Sequence, residues 1–270
     1  MADQFTDRYG KWAMVAGAAE GIGAAFSEVL AKRRMNLVMV DFHPASLKEV
    51  AERTERNYGI QTIQIVLDLA ENGAAQHCMS SIDGLDCRLL VYIPAYSRIK
   101  SFLDNSPEEL DQYLHLNVRT PLHLVYRFAG KIRNSAPGGI ILMSSLAGLI
   151  GPQFSAIYSG TKAFNILLAE ALFPEFKRCH IDVLACCAGT TNTPTFWSSR
   201  PEGQGNKMAI MDPMVVAEYA LSRLGRKAIC IPGLKNRLIY FLLTRILPRK
   251  TASFIVSREM EKMYPSRLAL

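Results

Sequence analysis

The run Met14-Val15-Ala16-Gly17-Ala18-Ala19-Glu20-Gly21-Ile22-Gly23 joins an apolar, strand-length segment to a helical pattern that continues from Ala24 to Ala31. Strand, glycine turn and helix follow one another without a spare residue. Glycines permit a tight turn and the close approach of a pyrophosphate, which then rests on the positive end of the following helix. The spacing here is Gly-x-x-x-Gly-x-Gly, so the commoner Gly-x-Gly-x-x-Gly pattern does not apply as written.

Outward from this turn, apolar runs of strand length alternate with helical stretches. The runs are Trp12 to Ala16, Leu37 to Val40, Ile63 to Leu67, Leu89 to Ile93, Ile140 to Met143, Ile181 to Cys186 and Ala228 to Ile231. That alternation predicts an α/β fold, a doubly wound parallel sheet of seven strands with helices on both faces. No repeat, low-complexity tract or linker divides the 270 residues, so a single Rossmann-like domain spanning 1–270 is expected. The one long irregular stretch, 193–213, contains Pro194, Pro201, Gly203, Gly205 and Pro213 and reads as a short lid.

A second chemical signal lies in Ala156-Ile157-Tyr158-Ser159-Gly160-Thr161-Lys162, thirteen positions after Ser145 and in a helical pattern. Four residues apart on a helix, Tyr158 and Lys162 share a face. An ammonium beside a phenol favours the phenolate, so a group that ordinarily titrates near ~10 is drawn towards use as a general acid or base. A Tyr and a Lys at this spacing also arise by chance in many helices. The pair gains meaning only beside the other signals.

Taken together, these segments resemble the short-chain dehydrogenase/reductase family, whose marks appear in order: Gly17, Gly21 and Gly23; Asn117 in Leu116-Asn117-Val118; Ser145 in Met143-Ser144-Ser145-Leu146-Ala147-Gly148; and Tyr158 with Lys162. The resemblance runs from Lys11 to about Gly233. It implies a catalytic set of Asn117, Ser145, Tyr158 and Lys162. Tyr158 would exchange a proton with the substrate oxygen, Ser145 would hydrogen-bond that oxygen, Lys162 would lower the Tyr158 pKa and hold the nicotinamide ribose, and Asn117 would support a water on the proton path. The resemblance also implies cofactor contacts from Gly17, Gly21, Ile22, Gly23, Asp41, Asp68, Leu69, Ala95, Tyr158, Lys162, Gly189, Thr191 and Thr193. Asp68 has a second reading as an ordinary capping aspartate ahead of Leu69 and Ala70.

Three positions depart from the family pattern. Ala16 stands where its threonine precedes the glycine turn, Tyr92-Ile93-Pro94-Ala95 replaces Asn-Asn-Ala-Gly, and Ala188-Gly189 replaces a proline-glycine pair. These are scaffold and cofactor-wall positions, so they bear on rigidity and cofactor affinity more than on the reaction.

Two acids speak to the cofactor. Asp41 ends the second strand, twenty-four residues after Gly17, where a carboxylate accepts from ribose hydroxyls and repels a 2′-phosphate. Glu20, just before the second glycine, repels it as well. NAD is therefore expected over NADP.

Composition sets the remaining bounds. With 49% hydrophobic and 20% charged residues the chain is a folded globular protein. No run approaches the ~18 apolar residues of a membrane span, and Met1-Ala2-Asp3-Gln4 lacks a signal pattern, so a cytoplasmic protein is expected. The six cysteines show no metal spacing and read as buried thiols, so no metal is expected. The formal charge of +7 concentrates towards the C-terminal extension, 234–270, where Lys235, Arg237, Arg245, Arg249 and Lys250 alternate with Leu238, Ile239, Phe241, Leu242, Leu243, Ile246 and Leu247. Such a stretch packs on its own core or on a second subunit, contacts an anionic membrane, or helps receive an acidic substrate; nucleic acid is not expected. A homodimer or homotetramer is expected from Leu110 to Ile132 and Tyr158 to Phe176, where Phe164, Ile166, Leu167, Leu168 and Leu172 exceed one core-facing stripe.

The expected reaction is hydride transfer between NAD and a lipophilic secondary alcohol or ketone, of hydroxysteroid or acyl type, in a cleft near Phe154, Phe196, Trp197, Met208, Ile210 and Met211. A 3-oxoacyl thioester reductase and a non-catalytic NAD-binding regulator or scaffold are the alternatives.

Overall fold

The computed structural model describes residues 2–134, 137–199 and 210–264. Seven strands, β1 (Trp12–Ala16), β2 (Asn36–Asp41), β3 (Thr62–Val66), β4 (Cys87–Tyr92), β5 (Gly138–Ser145), β6 (Ile181–Ala188) and β7 (Ile229–Cys230), form one sheet in the order β3-β2-β1-β4-β5-β6-β7. Every pairing is parallel. Each strand run read from the sequence lies on one of these strands, with ends that shift by up to two residues. The shifts arise because glycines and serines such as Gly138 and Ser145 carry ladder hydrogen bonds without adding to an apolar pattern.

The alternation along β1 decides what packs where. Ala13 and Val15 face one core, which includes Phe26 and Leu30 of α2 (Gly21–Lys32), Leu47 and Val50 of α3 (Pro44–Tyr58), and Val216 and Ala220 of α9 (Pro213–Arg223). Met14 and Ala16 face the other, with Cys78 of α4 (Ala74–Ser80), Leu124 and Phe128 of α6 (Thr120–Ile132), and Ile166 and Ala169 of α7 (Ala156–Phe176). Burial between two helical layers is what makes β1, and β4 from Leu89 onward, apolar on both faces.

Three features differ from expectation. The chain begins with α1 (Ala2–Tyr9), too short to signal itself. The long helix over Leu110 to Ile132 is α5 (Pro107–Leu114), a π turn at His115–Arg119, and α6. Within 193–213 the structure forms α8 (Pro194–Ser198); residues 200–209, including Met208, lie outside the described residues. The chain then closes with α10 (Leu234–Phe241), a π turn at Leu242–Ile246, and α11 (Arg249–Met263).

Candidate active site

The carboxyl ends of β1, β4, β5 and β6 converge, and the loops that leave them hold most of the residues singled out above. At the end of β1, Gly17 has φ +80° and donates its amide to Val40 O at 2.7 Å. A Cβ on Gly17 would lie 2.9 Å from Pro94 Cγ, one on Gly21 (φ +52°) 2.8 Å from Thr193 Cγ2, and one on Gly23 1.6 Å from Gly17 O. All three positions therefore require glycine on steric grounds. The N-cap of α2, Glu20, makes no side-chain cap, so the first amides of that helix are open to an anion. A pyrophosphate fits there, with Ile22 in the first turn and Thr193 over Gly21.

Asp41 is buried at the end of β2, accepting from Ala19 N at 3.0 Å through Oδ2 and from His43 N at 3.1 Å through Oδ1. It thus braces the glycine turn. Glu20 accepts from Ser46 Oγ at 3.3 Å. Asp68 is exposed and accepts from Ala70 N at 2.8 Å, the geometry of a local cap; Leu69 is buried and its carbonyl accepts from Thr120 Oγ1 at 2.7 Å.

Ser145 ends β5 in extended backbone, and its Oγ accepts from Ala147 N at 3.2 Å. The first turn of α7 carries half-buried Tyr158 alongside it. Burial pushes the Tyr158 phenol up, and the neighbouring Ser145 hydroxyl works in the opposite sense. Lys162, 2% exposed, donates from Nζ to Met143 O at 2.8 Å and lies 5.7 Å from the centre of the Tyr158 ring. Burial pushes the ammonium down to about 8. Ser144 Oγ donates to Lys162 O at 2.8 Å and anchors α7 to β5. The structure therefore brings Ser145, Tyr158 and Lys162 together.

Asn117 lies in the π turn, fully buried. Its Oδ1 accepts from Tyr96 N at 2.7 Å, and its Nδ2 donates to Tyr96 O at 3.0 Å and to Thr161 Oγ1 at 3.0 Å. Its carbonyl accepts from Asn165 Nδ2 at 3.2 Å. The side chain thus clamps the loop after β4, which carries Ala95, to α7. Tyr96, Thr161 and Asn165 escaped the sequence reading because no local pattern marks them.

On the far wall, Thr191 donates to Gly189 O at 2.9 Å and Thr193 accepts from Phe196 N at 3.2 Å as the N-cap of α8. A Cβ on Gly189 would meet Asn236 Nδ2 at 2.6 Å, so α10 sits directly on this loop. Asn236 also donates to Met211 Sδ at 3.1 Å. Phe154 is buried with φ +63°, a left-handed conformation that costs a bulky residue energy. It borders a shallow groove shared with Arg98, Lys100, Phe102, Tyr113, Ser155 and Ile157. Phe196 and Trp197 meet edge to face at 5.1 Å, and Ile210 is partly buried.

The family described as short chain dehydrogenase matches residues 11–204. A 7beta-hydroxysteroid dehydrogenase of Clostridium sardiniense is 29% identical over 233 residues, covering 86% of this chain and 89% of the relative. A very-long-chain 3-oxoacyl-CoA reductase-like protein of Arabidopsis thaliana is 27% identical over 245 residues, covering 87% of this chain and 77% of the relative. Among solved structures, one reported for the stereoselectivity of 7beta-hydroxysteroid dehydrogenase superposes with a TM-score of 0.86 at 26% identity, covering 93% of this chain and 98% of that one.

Proposed function

The chain belongs to the short-chain dehydrogenase/reductase family of oxidoreductases, which bind nicotinamide cofactors, and from that membership we propose that it moves a hydride between NAD and a lipophilic secondary alcohol or ketone. The observation that carries the proposal is the placement of Tyr158 in the first turn of α7, with buried Lys162 Nζ 5.7 Å from its ring centre and Ser145 beside it at the carboxyl end of β5. A bound nicotinamide supplies the carbon that gives or takes the hydride. The Tyr158 phenol exchanges the proton with the substrate oxygen, and Ser145 holds that oxygen within reach. Lys162, whose Nζ lies 5.7 Å from the ring centre, would favour the Tyr158 phenolate against the burial that raises it, and would hold the nicotinamide ribose. Asn117 fixes the π turn against α7 and is assigned to a water that relays the proton outward. Gly17, Ile22, Thr191 and Thr193 would hold the pyrophosphate and nicotinamide sides.

Support for a lipophilic substrate comes from the hydroxysteroid relatives, and from Phe154 and Ile157, which line with polar neighbours a groove next to the start of α7. The reductase-like Arabidopsis relative favours a second reading, a 3-oxoacyl thioester substrate. Turnover of a panel of hydroxysteroids, long-chain alcohols and 3-oxoacyl thioesters with NAD and NADP, read by absorbance of the reduced nicotinamide, tests both. A steroid or simple alcohol should show the highest kcat/KM. A thioester that exceeds it supports the second reading, and cofactor binding without turnover of any compound would leave a regulator or scaffold.

NAD is favoured because Asp41 and Glu20 present two negative charges to any 2′-phosphate. Asp41→Asn keeps an acceptor for one backbone amide while removing the charge. It should shift the ratio of NAD to NADP affinity by on the order of 1–3 kcal/mol towards NADP. Tighter binding of NADP than of NAD by the unaltered protein would sink the charge argument.

A homodimer or homotetramer is proposed on the paired surfaces of α6 and α7. Leu122 and Tyr126 of α6 are 39% and 79% exposed, and Leu167 of α7 is 64% exposed. Ile166, by contrast, belongs to the core. Light scattering should give a multiple of 30.0 kDa that Tyr126→Glu with Leu167→Glu reduces. A wild-type mass of one chain at every concentration would overturn this assembly.

A further inference from the structure

The outward face of α10 is apolar, which is the reverse of ordinary helix burial. Leu234, Leu238, Phe241 and Leu242 follow at steps of four, seven and eight residues, so they share one face, and they are 75%, 60%, 51% and 45% exposed. No residue of α10 is buried. Ile246 and Phe254, beyond the second π turn, are 61% and 66% exposed and extend the apolar surface into α11. Contiguous apolar surface of this kind marks an interaction site.

Charge selects the partner. Lys235, Arg237, Arg245, Arg249, Lys250 and Arg258 are all exposed around these side chains, and no Asp or Glu occurs between Glu218 and Glu259. Among the described residues, none of the six cations is ion-paired. A second copy docked through the same face by a two-fold axis would set positive charge against positive charge. An anionic lipid surface instead accepts apolar side chains below and basic head groups at the phosphate level, because long Lys and Arg chains reach outward from an apolar footing. No described helix is long and apolar enough to cross a membrane, so such a surface lies in the plane of one leaflet.

We propose that α10 and α11 form a platform that docks the protein reversibly on an anionic lipid leaflet. The platform is fastened to both walls of the candidate active site. Asn236 of α10 abuts Gly189. Ser257 Oγ of α11 accepts from Gln153 N at 3.1 Å, and Ser253 Oγ donates to Gly151 O at 3.4 Å, both in the loop that leads into α7. Docking therefore presents the mouth of the cleft beside the leaflet, and, on the substrate class proposed above, a lipophilic substrate reaches it from the bilayer; the docking itself does not depend on that reading.

Co-sedimentation of the full chain with vesicles tests the platform. Vesicles with about one third phosphatidylglycerol should bind the protein at least ~10-fold more tightly than pure phosphatidylcholine, and binding should weaken with salt. Replacing Lys235, Arg245 and Lys250 with Gln should weaken binding by roughly fivefold per residue, without touching the fold because all three side chains are exposed. Leu238→Glu with Phe241→Glu should abolish it while the melting temperature and the mass by light scattering stay unchanged. Failure to bind anionic vesicles, or binding that neither set of substitutions alters, would overturn the proposal. So would a vesicle-free mass that falls in the Leu238→Glu, Phe241→Glu protein, since that result assigns the face to a second copy.

Discussion

Tyr158→Phe should lower kcat by at least ~10²-fold while leaving cofactor affinity nearly unchanged. The substitution removes the hydroxyl assigned to proton exchange and keeps the ring that packs at the start of α7. An interaction needed only in the transition state is lost, so kcat and kcat/KM should fall together. Ser145 keeps its contact with Ala147 N, which holds the end of β5 in place. Steady-state kinetics on whichever substrate the panel identifies, with cofactor titration as the control, provides the measurement. Turnover within a few-fold of the parent in a folded Tyr158→Phe protein would remove Tyr158 from the mechanism.

Lys162→Met should abolish turnover to a similar extent and yet raise stability near neutral pH. Lys162 is buried, and its ammonium is pushed down to about 8 from an ordinary 10.5 by that burial. Between those two values the unfolded chain binds a proton that the folded protein does not, so stability rises with pH across this window and the cost is fully present below about 8. A methionine of similar length removes the charge, at the expense of leaving the Met143 carbonyl without its 2.8 Å donor. The net gain should be on the order of 1–3 kcal/mol at pH 6.5 and should shrink towards pH 10. Thermal melting at both pH values decides: a lower melting temperature for Lys162→Met at pH 6.5 would show that the hydrogen bond to Met143 outweighs the buried charge. A stability gain joined to a loss of turnover is the signature of a residue retained for chemistry.

What was legible in the chain was what local spacing encodes. Gly17, Gly21 and Gly23 mark their turn because no side chain fits at those three places: a Cβ there would come within 2.9, 2.8 and 1.6 Å of neighbouring atoms. Tyr158 and Lys162 share a face at a separation of four, and Ser145 announces itself as the last residue of an apolar strand. Partners brought together by the fold alone were not legible. Tyr96 and Asn117 are twenty-one positions apart and meet where the Asn117 side-chain amide pairs with the Tyr96 backbone, and Asn236 reaches Gly189 across forty-seven positions. Asn117 stood out as a motif residue, but nothing local indicated that its amide clamps one loop to one helix. The basic apolar tail was visible as a pattern, whereas the direction its apolar face points depends on what the rest of the chain leaves uncovered.

The π turn at His115–Arg119 turns this part of the site into a matter of counting. A helix that accommodates one residue more than the α pattern allows rotates everything downstream by about 100° relative to an unbroken helix. Asn117 sits at the middle of that turn, and α6 follows directly from it. Deleting a single residue from 115–119 would shift the phase of α6 against α5 within a helix interrupted only at Pro121, which has no N–H to donate, while swinging the amide away from Tyr96 and Thr161. The far-ultraviolet signal of such a protein would look intact and its site would be out of register. Length in this segment is therefore under tighter constraint than composition, and homologous chains should tolerate exchange of residues there far better than loss of one.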